Sequence, residues 1–175
     1  MIRNIVKKAK NGDKHAFEKL ILYYQVDLYK IAKAYLILEE DVNDAVQETI
    51  ISAYTNIKNL TNISKFKSWL IKILINECNS IYRKRNRESD IVSKISNTNN
   101  PINLNYTYDN NFEFYCLLNK LNIEEKELLI LYFLEGYKPK EIAQITGLNN
   151  NTVRSKILRA KNKIKDDLKE VYDYE

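Results

Sequence analysis

The sequence predicts an all-α protein of two small helical domains joined by a flexible linker, with a helix-turn-helix in the C-terminal domain. The 175 residues include only 3 Gly and 2 Pro, which suits helices with short connections and argues against a turn-rich β protein. Apolar residues recur at spacings of three and four along most of the chain. Between about residues 88 and 111 this periodicity gives way to an Asn- and Ser-rich stretch typical of a linker.

Four helices are predicted in the first half. A short amphipathic helix spans Ile2 to Lys10. Asp13 is expected to cap the second helix, whose apolar face comprises Phe17, Leu20, Ile21, Tyr24, Leu28, Ile31, Ala32 and Tyr35. Asp41 is expected to cap the third helix. The fourth begins near Phe66 and ends in the basic cluster RKRNR, residues 83–87.

The C-terminal helices are bounded by clear start and stop signals. A helical pattern resumes near Phe112, and Asn122 with Glu125 predicts a capping box that opens the next helix, which Gly136 ends. Pro139 suits the first position of the following helix, Gly147 ends it, and Asn149 caps the last helix, which runs to about Leu168. The predicted domains are residues 1–88 and 112–175, with the linker at 89–111.

Composition excludes several classes of protein. The single His15 and the isolated Cys78 and Cys116, with no CxxC, argue against a metal site, a disulfide framework and an enzyme active site, and no cofactor is predicted. The N-terminus lacks the apolar core of a signal peptide, and no stretch approaches the roughly 20 apolar residues that span a bilayer. We therefore expect a cytoplasmic protein without membrane insertion.

Positive charge is concentrated at residues 83–87 and 154–165 within a chain of net charge +5. The last helix turns Val153, Ile157, Ala160 and Ile164 inward, which leaves a polar and basic face for DNA. The predicted contacts of this face are Asn151, Thr152, Arg154, Ser155, Lys156 and Arg159. The alternative is an ordinary solvated basic face on a bundle helix.

Two further surfaces are candidates for binding. The third helix carries Asp44, Gln47 and Glu48 opposite its apolar stripe, which suits a basic protein partner or simply solvent. The acid-free loop at 56–65 and the basic cluster at 83–87 have the composition of a surface that holds single-stranded DNA. For the basic cluster, a solvated helix end that complements the helix dipole is the alternative.

Three segments follow one another along the chain: DVNDAVQETIISAY, then FKSWLIKILIN with RKRNR, and then the helix-turn-helix with NTVRSKILRA. Their order and spacing resemble those of bacterial extracytoplasmic-function (ECF) sigma factors. The resemblance extends from about Gly12 to Lys169. It implies a two-domain specificity subunit that binds core RNA polymerase and promoter DNA and is often silenced by an anti-sigma factor.

The resemblance also implies roles for individual residues. The surface for the polymerase clamp helices would comprise Asp41, Asp44, Gln47 and Glu48. The minus-ten element would be bound by Asn59, Leu60, Asn62, Lys65, Asn76, Arg83 and Lys84. The segment NTVRSKILRA would read the minus-thirty-five element. Leu60 stands where the family often has an aromatic residue, so base capture is expected to differ here.

Another class of protein also fits part of this pattern. A free-standing helix-turn-helix regulator with an N-terminal interaction domain would share the C-terminal features. The acidic helix and the absence of a sensing constellation favour the sigma factor.

Overall fold

A computed structural model of the chain describes the backbone of residues 1–95 and 117–172 and the side chains of residues 1–87 and 117–166. The chain divides into two compact units, Met1–Leu104 and Asn105–Glu175. Every regular element in the described residues is helical, which confirms the predicted fold class. No helix in this described part is long and apolar enough to cross a membrane.

The first unit is built from one short and three long helices. They are α1 (Ile2–Lys10), α2 (Lys14–Tyr35), α3 (Glu39–Asn56) and α4 (Phe66–Ile95). Two single 3₁₀ turns, Ile57–Asn59 and Ile63–Lys65, connect α3 to α4. The three long helices pack against one another, and α1 covers α2. The core between them includes the fully buried Leu20, Leu28, Ile31, Leu70 and Leu74, as the apolar spacing predicts.

The starts of α2 and α3 differ from each other in how they are capped. The Asp13 carboxylate accepts a hydrogen bond from the Ala16 amide at 3.0 Å, which confirms the predicted cap of α2. The predicted cap at Asp41 is wrong, because α3 begins at Glu39 and its cap residue is Leu38. Asp41 instead lies in the acidic first turn, where negative charge is stabilised by the helix dipole.

Helix α4 is longer than the sequence predicts. It continues to Ile95, so the first residues of the predicted linker are helical. Residues 88–95 contain neither Gly nor Pro, and extending an existing helix requires no new nucleation. The remainder of the predicted linker, the helix start near Phe112 and Cys116 lie outside the described residues, and the domain bounds stay predictions.

The second unit contains the predicted helix-turn-helix. Helix α5 (Ile123–Leu129) continues into a π-helical turn, Ile130–Leu134, and is followed by α6 (Pro139–Thr146) and α7 (Asn150–Tyr172). The capping box of Asn122 with Glu125 is present, and Pro139 is the first residue of α6. Helix α7 ends at Tyr172, beyond the predicted end near Leu168.

The turn between α6 and α7 is formed by only three residues. Gly147 ends α6 with a φ of +79°, a left-handed conformation that Gly adopts without the steric cost of a Cβ. Asn149 then accepts a hydrogen bond from the Asn151 amide at 2.9 Å, as predicted for the cap of α7. Ile142 on α6 and Val153, Ile157 and Ala160 on α7 are buried, which fixes the face that α7 leaves exposed.

Candidate nucleic-acid and protein interfaces

Helix α7 exposes most of the side chains that the sequence assigns to DNA. Asn151, Arg154, Ser155 and Arg159 are exposed, and Thr152 is half-buried. Three of the four predicted inward residues are buried, whereas Ile164 is partly exposed. The first three turns of α7 therefore present amide, hydroxyl and guanidinium groups on one surface, which are the groups that contact phosphates and base edges.

Three lysines of α7 contact residues of their own unit. Lys156 donates to the Glu124 carboxylate of α5, and Lys163 donates to Glu125 at 2.6 Å and 2.8 Å. The ammonium of Lys161 lies 4.3 Å from the ring centroid of Tyr132, a cation–π contact. Lys156 therefore helps to hold α7 on α5, and its contact with DNA stays a prediction.

Helix α3 presents an acidic stripe that includes one large apolar side chain. Asp44, Gln47 and Glu48 are exposed, as predicted. Ile51 follows on the same stripe at helical spacing and is 51% exposed. Asp41 does not share this exposure: it is buried, and its carboxylate accepts hydrogen bonds from Arg85. The role of Asp41 at the polymerase-binding surface stays a prediction, and its carboxylate is engaged by Arg85.

The loop between α3 and α4 separates into inward and outward residues. Asn59, Asn62 and Lys65 are exposed, and the Asn62 side chain accepts a hydrogen bond from the Ser64 amide at 3.0 Å. The Leu60 side chain is only 4% exposed, and its carbonyl accepts a hydrogen bond from Lys10 at 2.6 Å. Leu60 therefore anchors the loop to the core, and its predicted contact with a DNA base stays a prediction.

One face of α4 forms an open, polar pocket of about 260 Å³. It is lined by Asn76, Asn79, Ser80, Arg83 and Arg87. Asn76, Arg83 and the adjacent Lys84 are exposed, as their predicted roles require. The Asn79 Oδ1 atom is buried and has no hydrogen-bond partner in the described part of the chain. The pocket thus combines hydrogen-bonding and cationic groups suited to a nucleotide strand.

Metal-binding groups are not assembled in the described residues. No cluster of three or more His, Cys, Asp or Glu side chains capable of holding a metal ion occurs there. Cys78 is fully buried, and desolvation raises the pKa of its thiol, which disfavours the reactive thiolate. Cys78 is therefore part of the core.

Comparison with protein families identifies both units. A model described as "Sigma-70 region 2" matches residues 20–88, and one described as "Sigma-70, region 4" matches residues 111–164. Together these ranges cover more than half of the chain. The chain belongs to the sigma-70 family. In this sigma factor, the region 2 match contains most of α2, all of α3 and most of α4, and the region 4 match contains α5, α6 and α7 up to residue 164.

Curated relatives of this sigma factor match it over most of their length. The RNA polymerase sigma factor SigV of Bacillus subtilis is 29% identical over 87% of this chain and 91% of the relative. The ECF RNA polymerase sigma-E factor of Haemophilus influenzae is 26% identical over 94% of this chain and 93% of the relative. These matches are to ECF sigma factors, as the sequence motifs predict.

Two solved structures resemble this sigma factor along both units. RpoE of Bartonella quintana, solved with the anti-sigma factor NepR, is 28% identical with a TM-score of 0.72 and covers 87% of this chain and 96% of that chain. CnrH, solved with the cytosolic domain of CnrY, is 25% identical with a TM-score of 0.73 and covers 96% of this chain and 97% of that chain. The two-unit helical fold is therefore shared with these proteins.

The structure adds surface residues of this sigma factor that the sequence reasoning missed. Leu158 is 60% exposed on α7, one turn after Arg154 and adjacent to Arg159. Ile51 extends the stripe of α3, and Asn79 with Ser80 completes the α4 pocket. Leu158 and Ile51 had a detectable signal, since each is an apolar residue outside the buried positions of its helix. Asn79 had no such signal, because a single Asn in an Asn-rich sequence does not indicate a binding residue.

Proposed function

We propose that this protein is an alternative sigma factor that binds core RNA polymerase and directs transcription initiation at specific promoters. It acts in the cytoplasm, where bacterial polymerase is located, and performs no catalysis of its own. The observation that carries the proposal is the division of cations on α7. Arg154 and Arg159 are exposed on the face with Asn151 and Ser155, while Lys156 and Lys163 bind α5. This arrangement is suited to holding a rigid reading face against duplex DNA.

Helix α7 is proposed to read the upstream promoter element. Arginine binds guanine through two parallel hydrogen bonds, and asparagine does the same with adenine. Arg154, Arg159 and Asn151 supply these groups, and Thr152 and Ser155 supply hydroxyls for phosphates. Leu158 supplies an exposed apolar side chain between the two arginines, which is suited to the methyl group of thymine.

The stripe on α3 is proposed to bind the polymerase core. Asp44, Gln47 and Glu48 provide negative and polar groups in a chain whose net charge is positive. They therefore favour a basic protein surface over DNA. Ile51 supplies apolar area within the same stripe, and a buried apolar anchor beside charged groups is typical of protein interfaces.

The melted minus-ten strand is proposed to follow the loop and the exposed face of α4. Asn59, Asn62 and Lys65 lie in the loop. Asn76, Arg83 and Lys84 lie on α4, and Asn79 and Ser80 add two polar groups beside them. Amides suit unpaired base edges, and cations suit the backbone of a single strand.

An anti-sigma factor is the fourth proposed partner. The RpoE structure described above was solved with the anti-sigma factor NepR, and the two folds match over 87% of this chain. The exposed stripe of α3 and the exposed face of α7 are the surfaces that such a partner must cover to prevent transcription.

The decisive experiment combines assembly and initiation. The purified protein is mixed with bacterial core RNA polymerase, passed over a sizing column, and the complex is tested on a library of randomised promoters. Co-elution and enrichment of one promoter sequence are expected. Arg154→Ala should abolish the enrichment and retain co-elution, whereas Glu48→Lys should reduce co-elution. Failure of the wild-type protein to co-elute, with tight binding to duplex DNA alone, would refute the proposal.

A further inference from the structure

Arg85, within the basic cluster at the end of the described side chains of α4, is bound to the first turn of α3. Its Nε donates to Asp41 Oδ2 at 3.1 Å, and its Nη2 donates to Asp41 Oδ1 at 2.9 Å. Nη2 also donates to the Glu40 carboxylate. These hydrogen bonds raise the pKa of Arg85 above its ordinary value, so the guanidinium stays charged.

This contact fixes an orientation as well as a distance. A guanidinium that donates two roughly parallel hydrogen bonds to one carboxylate holds both planar groups in a single geometry, which the ammonium of lysine cannot do. The Asp41 side chain is only 11% exposed, so removing Arg85 leaves a nearly buried carboxylate without its cation. The contact joins two helices across 44 residues of sequence.

The two helices joined by Arg85 carry different candidate surfaces. Helix α3 carries the acidic stripe for polymerase, and α4 carries Arg83 and Lys84 for the DNA strand. Arg85 follows these two cations in sequence, yet its guanidinium is occupied by α3. The basic cluster therefore includes an arginine whose guanidinium is bound to carboxylates of another helix.

We propose that Arg85 is a positioning residue for strand opening. By binding Asp41 and Glu40 it holds the basic end of α4 at a set place relative to the polymerase-binding stripe of α3, so that Arg83 and Lys84 meet the melted strand. The inference rests on the proposed sigma-factor function. It assigns Asp41 to the support of the interface and separates Arg85 from the DNA contacts.

The competing role for Arg85 is one more contact with a DNA phosphate. The two roles respond differently to Arg85→Lys, because lysine retains the positive charge that binds a phosphate but cannot donate two parallel hydrogen bonds to one carboxylate. A positioning role further requires that Asp41 and Arg85 act as a unit.

The test uses full-length Arg85→Ala, Arg85→Lys, Asp41→Asn and the Asp41→Asn/Arg85→Ala double variant. Arg87→Ala is the comparison variant for the loss of a strand contact, because Arg87 lines the α4 pocket and its guanidinium donates to the Arg83 carbonyl rather than to α3. Open-complex formation is measured with saturating holoenzyme, so that weaker core binding does not enter the result. Thermal unfolding of the free proteins is measured in parallel.

A positioning role predicts a loss of open complex of about tenfold in each single variant, including Arg85→Lys, and no further loss in the double variant. Arg87→Ala should unfold at the wild-type temperature. Additive losses or rescue by Arg85→Lys would overturn the inference.

Two remaining outcomes are also decisive. Coupling of Asp41 and Arg85 in thermal unfolding, with open-complex formation unchanged, would reduce Arg85 to a stabilising residue and overturn its positioning role. If the wild-type protein does not form a holoenzyme, the proposed function fails and the positioning role fails with it. The coupling measured in the free protein would still report whether the contact exists, so the two failures are distinguishable.

Discussion

The division of cations on α7 leads to a prediction about two residues three positions apart. Arg159 is exposed, whereas Lys156 donates to Glu124, and its side chain is 26% exposed. Arg159→Ala should therefore weaken promoter recognition, and Lys156→Ala should not. The sequence alone assigns both residues to DNA, so the two variants test what the tertiary structure adds.

The promoter preference of Arg159→Ala and that of Lys156→Ala should differ by at least several-fold. A good bidentate contact between arginine and a base contributes about 1–3 kcal/mol of discrimination, so Arg159→Ala should lower the preference for the promoter over a scrambled sequence by about 5- to 150-fold. The pair of Lys156 with Glu124 is largely exposed on the Glu124 side, at 64%, and such pairs contribute about 0–1 kcal/mol to stability. Lys156→Ala should lower the melting temperature of the second unit by no more than about 8 °C.

The assay is competition binding of the holoenzyme to a fluorescent promoter fragment against unlabelled specific and scrambled fragments. Glu124→Gln is the matched control, because it breaks the same pair from α5 without removing a cation from α7. Lys156→Ala and Glu124→Gln should retain the wild-type preference. An equal loss of preference in Lys156→Ala and Arg159→Ala, with Glu124→Gln unaffected, would show that Lys156 leaves Glu124 for DNA and would refute the reasoning.

Three other predictions concern α3, the turn and a buried lysine. Ile51→Ser should weaken holoenzyme assembly about tenfold in a core-polymerase titration without lowering the melting temperature, because the side chain is exposed in the free protein; unchanged assembly would contradict the proposed stripe. Gly147→Ala should destabilise the protein by about 1–2 kcal/mol in a denaturant titration, because its φ is +79°; wild-type stability would contradict the left-handed turn. Desolvation lowers the pKa of the buried Lys126 from 10.5 to about 8, so the unfolded chain binds this proton more tightly than the folded chain does. Burying the charged lysine therefore lowers the free energy of unfolding by about 3 kcal/mol below pH 8. This loss of stability disappears as the pH approaches 10.5. The stability of Lys126→Met relative to wild type should therefore fall between pH 8 and 10.5, and a constant difference would contradict a charged, buried Lys126.

Helix boundaries were predictable where the signal lies within a few residues of the boundary. Asp13, the Asn122–Glu125 pair, Pro139 and Gly147 all act where the sequence predicts. Each works through the backbone of its own turn, so no knowledge of distant residues is needed. The start of α3 was missed because Asp41 is as good a cap by sequence as Asp13, and only its pairing with Arg85 distinguishes the two.

The candidate surfaces were predictable as faces but not residue by residue. The apolar stripe of α7 predicts which side is buried, and Val153, Ile157 and Ala160 are buried as expected. The stripe does not predict which cation meets a carboxylate of another helix, so the pairing of Lys156 with Glu124 was not foreseen. The burial of Leu60 was not foreseen either, because its place in a polar loop does not show that it packs in the core.

The amino-acid sequence by itself determined the helical class, most helix ends and the family of this protein, because periodicity, caps and motifs are properties of neighbouring residues. The tertiary structure alone decided which charges remain free. Arg85 meets Asp41 across 44 residues and Lys156 meets Glu124 across 32. Such pairs depend on how the helices pack, and an ion pair between helices leaves no periodic trace in the sequence. The same basic residues therefore divide into those available to DNA and those that hold the helices in place.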